Sequence, residues 1–125
     1  MHLNWYDKTL FLVAAVFNLS TAAILILRPN IALARLGITD PMAKWLARSM
    51  ASSVTAWGLA YALVLVNPDG FREFVWLGVF SKTLFFTIYA VAYFSSEISL
   101  AAFAPALFDL VLAALFAEYL WRTQI

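Results

Sequence analysis

Cysteine is missing from all 125 residues, which excludes disulfides, thiolate nucleophiles, thioether-linked haem and iron–sulfur clusters held by thiolates. Histidine occurs once, as His2 beside Met1, so a Ser–His–Asp triad, a histidine-based zinc site and haem ligation by bundle histidines all lack their parts. The four glycines form no phosphate-binding loop. A formal charge of +1, with no basic stretch interleaved with aromatics, gives no footprint for nucleic acid. No metal and no cofactor is implied. Charge itself is scarce, at 12% of residues, where a soluble domain carries about 25%. What fills the space is apolar: 65% of residues are hydrophobic and the mean hydropathy is +0.88. This is the composition of an integral membrane protein.

Four apolar spans follow, at about 9–27, 42–66, 73–95 and 104–121, each near the ~20 residues that carry a helix across ~30 Å of hydrocarbon. Backbone amides in lipid must bond within their own segment, and the alternation of a barrel strand is absent, so the spans are helices. With short connections they predict one all-α domain over 1–125, a polytopic up-down bundle of four transmembrane helices. Asp7 cancels Lys8 ahead of the first span and no small-residue cleavage pattern follows it, so the span is expected to stay in the mature protein.

The linkers are short but specific. Arg28-Pro29 stops the first span, because proline cannot continue the amide ladder. Residues 30–38 then place Ile31, Ala34 and Ile38 at helical spacing, which predicts a short interfacial helix between the first and second spans. Thr39-Asp40-Pro41 reads as an N-cap followed by a first-turn proline, Asn67-Pro68-Asp69-Gly70 as a turn, and Pro105 as a first-turn residue of the last helix. We term face A the side that carries both termini and the turn at 67–72, and face B the other. Lys8, Arg72 and Arg122 flank face A, against Arg28, Arg35, Lys44 and the nearby Arg48 at face B. The basic C-terminal flank of the first helix favours a cytoplasmic face B, but the two counts leave orientation open. Trp5, Tyr6, Tyr119 and Trp121 at face A, with Trp45, Tyr93 and Phe103 at face B, read as two aromatic belts.

Lys82, in the middle of the apolar run 74–94, is the most informative residue. An ammonium at the centre of a span costs roughly 2.5–3.5 kcal/mol, so it should face a partner, a cavity or a function. Asp109 is the one acid deep in the next span. At ~1.5 Å of rise per residue, Lys82, Asn18 and Trp57 each lie roughly 13 Å from face A and Asp109 roughly 18 Å. Thr21, Thr55, Ser81 and Thr83 fall within a turn or two of that depth. Each helix thus contributes to one layer, and Asn18, Trp57, Lys82 and Asp109 are the candidate site. Two readings fit. A buried Lys–Asp pair can fix helix packing and register; alternatively, with Asn18 and the Trp57 ring, it lines a small cavity for a polar head, an ion or a proton.

The remaining charges are more peripheral. Arg28, Arg35 and Arg48 read as interfacial contacts to lipid headgroups, Arg48 by snorkelling from two turns inside the second span. Glu118 is expected at the face A interface. Ser49 with Ser53, and Ser52 with Ala56 and Ala60, form small-residue rows on the second span that suit close helix approach, within the bundle or in a dimer. One polar layer between long apolar stretches does not make a continuous aqueous path within a single bundle.

Asn18, Arg28-Pro29, Leu36-Gly37, Pro41, Gly58-Leu59-Ala60-Tyr61, Lys82 and Asp109 together resemble the DoxX-like group of small four-helix bacterial membrane proteins, over most of the chain. That resemblance implies a compact four-helix bundle in the bacterial inner membrane, with both termini on one side, commonly the cytoplasmic one. It implies no transferable activity. The expected partners are the lipid bilayer, a small amphiphilic ligand, and a homo-oligomer or larger membrane complex. The expected function is that of a non-enzymatic binding or accessory component; the alternative is a small enzyme or transporter acting on a lipid-soluble molecule, sterol-like or quinone, through Lys82 and Asp109.

Overall fold

A computed structural model describes residues 3–124; His2 lies outside the described residues. The chain is α1 (Trp5–Leu27), α2 (Pro29–Arg35), α3 (Ala43–Val66), α4 (Arg72–Phe94) and α5 (Leu100–Arg122), and no strand occurs among the described residues. α1, α3, α4 and α5 are long and apolar enough to cross a membrane. α2 is the short helix between the first two of them. Large apolar side chains including Leu12, Val16, Leu77, Phe80, Ile88 and Val111 lie exposed on the outside, the continuous apolar coat that lipid would cover.

The helix ends are set by polar residues rather than by hydropathy. Asn4 Oδ1 accepts from the Asp7 amide at 2.7 Å and starts α1, while Ser99 Oγ accepts from the Ala102 amide at 3.2 Å and starts α5. Both helices therefore begin ahead of their apolar runs, because the capping side chains are polar. Pro105 consequently sits past the first turn of α5, not within it. Lacking an N–H, it leaves the Ala101 carbonyl without its helical donor. The second long helix departs from expectation at its start. Asp40 Oδ1 accepts from the Met42 amide at 2.9 Å in a tight turn that holds Pro41, and α3 begins at Ala43 with no side-chain cap. Arg28-Pro29 ends α1 as its chemistry requires, with the Arg28 amide donating to Ile24 O at 2.7 Å and Pro29 opening α2. α2 turns Pro29 and Leu33 inward and leaves Ile31, Ala34 and Arg35 exposed. Gly37 then reverses the chain at φ +71°, a conformation that suits glycine.

α1 packs along α3, and α4 along α5. Gly58 permits the first approach: a Cβ there would lie 2.8 Å from the Leu19 side chain. The two pairs meet most fully toward face A. There Leu10, Phe11, Tyr61, Val64, Val75 and Phe116 form a core drawn from all four long helices, with Phe11–Phe116 and Tyr61–Phe116 ring centroids 5.3 and 5.1 Å apart. Tyr119, expected in the interfacial belt, is 1% exposed in this core. Its ring is edge-on to Phe11 at 5.0 Å. Polar contacts tie the same end: Arg122 bonds Asp7 Oδ1 at 2.6 Å, and Arg72 donates to Leu120 O at 2.9 Å and Thr123 Oγ1 at 2.8 Å.

Face B is built differently. One buried cluster there, Ala22, Leu25, Ala47 and Ala51, comes from α1 and α3, while α5 buries Ala102, Phe103 and Ala106. α4 has no buried residue beyond Lys82. Phe103, also expected in a belt, is buried and stacks on Tyr93 at 4.8 Å, joining α5 to α4. Trp5, Tyr6, Trp45 and Trp121 are exposed.

Candidate functional site

Lys82, Asp109 and Asn18 converge where the four-helix core stops. Lys82 Nζ donates to Asp109 Oδ1 at 2.5 Å and to Asn18 Oδ1 at 3.4 Å, joining α4, α5 and α1. Lys82 is 5% exposed and Asp109 9%. Charges so far from water persist only when paired and hydrogen-bonded. The ammonium also lies 5.4 Å from the Tyr61 ring centroid and 5.8 Å from that of Phe17, and aromatic faces at such distances favour a cation.

Trp57 shares the depth but not the bonding. It is half-buried and packs on Tyr61, ring centroids 5.9 Å apart. Tyr61 is the residue that sequence reasoning missed as a site member. The available signal was its position four residues after Trp57, which puts both on one face of α3. Gly78 makes room for it, since a Cβ there would lie 2.9 Å from the Tyr61 hydroxyl oxygen.

Beside this cluster lies a cavity of about 550 Å³, within the range of small-molecule sites. Asn18, Tyr61, Lys82 and Asp109 line its inner end, and Trp57 its wall. Thr21 and Ser81 also reach it, whereas Thr83 is exposed on the outside and Thr55 bonds back to Ala51 O at 2.7 Å within α3. Leu25, Val54 and Phe85 give it apolar sides. Its exposed lining residues, such as Ile24, Ile31, Arg35 and Met50, lie in the half of the bundle nearer face B. The cavity thus occupies the space that a continued four-helix core would fill.

The three arginines take different places. Arg28 is exposed at the α1–α2 junction, and Arg35 is exposed on the cavity rim. Arg48 has a protein partner: its Nε donates to Ile26 O at 3.0 Å, closing the C-terminal end of α1, and its guanidinium lies 4.8 Å from the Trp45 ring centroid. Glu118 is exposed and pairs with Arg122 at 2.8 Å. Ser49, Ser52 and Ala56 of the small-residue rows face outward, Ser53 lines the cavity, and Ala60 is buried. The close approach to α1 is made instead by Ala47, Ala51 and Gly58.

Chemically the cluster is a charge-neutral pair with spare hydrogen-bonding capacity beside an apolar chamber. Among the described residues, no three His, Cys, Asp or Glu side chains converge as a metal site would require. No protein-family model, no curated protein and no solved structure matches the chain.

Proposed function

We propose that this chain is a small DoxX-like integral protein of the bacterial inner membrane, acting as a non-enzymatic binding or accessory component that holds a small amphiphile. The observation that carries this reading is the cavity of about 550 Å³ ending on Lys82 and Asp109. An ion pair whose only task is to fix helix register needs no chamber beside it, and packed side chains would serve it better. Amphiphiles reach such a chamber from the bilayer and leave their polar end against the polar layer. In the wider assembly, the exposed Ser49, Ser52 and Ala56 row of α3 offers a surface for a second copy or a larger membrane complex. Lipid extraction coupled to native mass spectrometry of the purified protein tests the reading. A co-purifying amphiphile that is lost in a cavity-filling Ser53→Phe variant is expected; a protein that retains the same lipids when the cavity is filled would sink it.

A second reading, a membrane enzyme or transporter acting on a sterol-like or quinone substrate, draws on the same geometry, because the Lys82–Asp109 pair faces the cavity. It requires that Lys82→Met and Asp109→Leu abolish turnover or flux while ligand binding survives.

A further inference from the structure

An ammonium carries three N–H donors; Lys82 directs one to Asp109 Oδ1 and one to Asn18 Oδ1, which leaves one. Asp109 Oδ2, Asn18 Nδ2 and the Tyr61 hydroxyl make no hydrogen bond within the described protein. None of them is sealed away either, since Tyr119 Oη is the one fully buried side-chain N or O without a partner among the described residues. Each therefore keeps some accessible surface, and the residues that carry them line the cavity. The inner wall offers donors and an acceptor side by side, and its formal charge sums to zero.

That combination selects the head group. A carboxylate would draw Lys82 away and leave Asp109 beside a like charge; an ammonium would capture Asp109 and strand Lys82. Either outcome leaves an uncompensated charge far from water, which is strongly disfavoured. A carbonyl or ether oxygen would answer the donors and leave Asp109 Oδ2 unmet. A hydroxyl does both: its oxygen accepts from Lys82 or Asn18 and its proton goes to Asp109 Oδ2. Arg35, on the exposed rim, competes with water and headgroups and does not set the charge of the buried head.

Resting on the reading of the cavity as an amphiphile site, we infer that its ligand is a lipophilic alcohol. The uncharged hydroxyl enters first and lies against Lys82 and Asp109, and the apolar tail leads out past Leu25, Val54 and Phe85 toward face B. From Asn18 to the end of α1 is roughly 13 Å of helical rise, so a chain of medium length reaches the mouth.

The test uses the full-length protein in nanodiscs of neutral lipid, with four tritiated probes that share one tail: dodecanol, dodecanoate, dodecylamine and dodecane. Each is titrated against empty nanodiscs to subtract partitioning. Dodecanol should bind saturably and about tenfold more tightly than each of the others, the size expected of a paired hydroxyl in an otherwise apolar site. Tyr61→Phe and the Lys82→Met/Asp109→Leu double variant should narrow that gap, and the wild-type ranking decides the matter even where a variant fails to fold. Dodecanoate or dodecylamine matching dodecanol overturns the head-group assignment while leaving the amphiphile site intact. Dodecane matching dodecanol also overturns it, because the head is then not read at all. If no probe binds above empty nanodiscs, the assignment fails together with the amphiphile reading beneath it.

Discussion

Taking an ammonium and a carboxylate out of water costs several kcal/mol each, and the 2.5 Å contact between Lys82 and Asp109 offsets that cost for both. Removing one partner strands the other. Asp109→Leu is therefore expected to lower stability by about 3 kcal/mol, and Lys82→Met/Asp109→Leu to recover most of that loss. Unfolding by SDS titration in mixed micelles measures both; a double variant no better than its worse parent would show that the pair is not mutually compensating. Gly78 matters for a related reason. Its missing Cβ admits the Tyr61 hydroxyl, which a Cβ would approach to 2.9 Å, so Gly78→Ala should cost about 1–3 kcal/mol as overpacking. The same unfolding assay reports the cost, and an unchanged midpoint would mean that the ring yields freely. Lys82, Asp109 and Asn18 were legible as a set, because three rare polar residues at matched depth in apolar helices have few other places to turn. Tyr61 was not, because an aromatic in an apolar run carries no sign of whether its hydroxyl is needed.

Among the elements, the apolar runs located the long helices and the capping residues moved their ends. A hydropathy window cannot see Asn4 or Ser99, since a side chain that caps an amide must be polar. It is equally blind to which helices pair closely. α1 lies against α3 because Ala47, Ala51 and Gly58 keep that face of α3 flat. The serine-rich rows beside them turned mostly outward. Gly58→Val should force the Leu19 side chain, 2.8 Å from the new Cβ position, away from α3 and destabilise the bundle by about 1–3 kcal/mol. Ser52→Val, on an exposed position of the same helix, should stay within about 0.5 kcal/mol. Comparable losses at both positions would refute the assignment of the packing face.

The whole molecule is polarised from face A to face B. Face A is closed by a four-helix aromatic core and by the bond from Arg122 to Asp7, which is 3% exposed. Asp7→Asn removes a charge-assisted bond between the first and last long helices and is expected to cost about 1.5–3 kcal/mol. Loss of that bond should appear as faster amide exchange at the face A ends of α1 and α5, with α2 unchanged. At face B one buried cluster comes from α1 and α3, α5 buries Ala102, Phe103 and Ala106, and the cavity lies among residues of all four long helices. The absence of native cysteine makes access measurable by single substitutions. Ser53→Cys, on the cavity wall, should react with a lipid-soluble maleimide at least about tenfold faster than Val64→Cys in the closed core, in keeping with thiol accessibility. Equal rates would deny the polarity of the bundle.

Composition and run length alone determined that the chain is all-helical with four helices able to cross a membrane, because lipid admits few ways to satisfy an amide and helices of that length declare themselves by hydropathy. The depth of each polar residue was likewise fixed by helical rise, so the layer holding Lys82 and Asp109 needed no tertiary information. Only the tertiary structure decided what lies beside that layer. A chamber exists where side chains fail to meet, and whether four helices converge or part at a given height depends on the summed volumes of residues far apart in the chain. Tyr61 and Phe116 fill the bundle below Lys82; above it α4 buries nothing, and the space is left open.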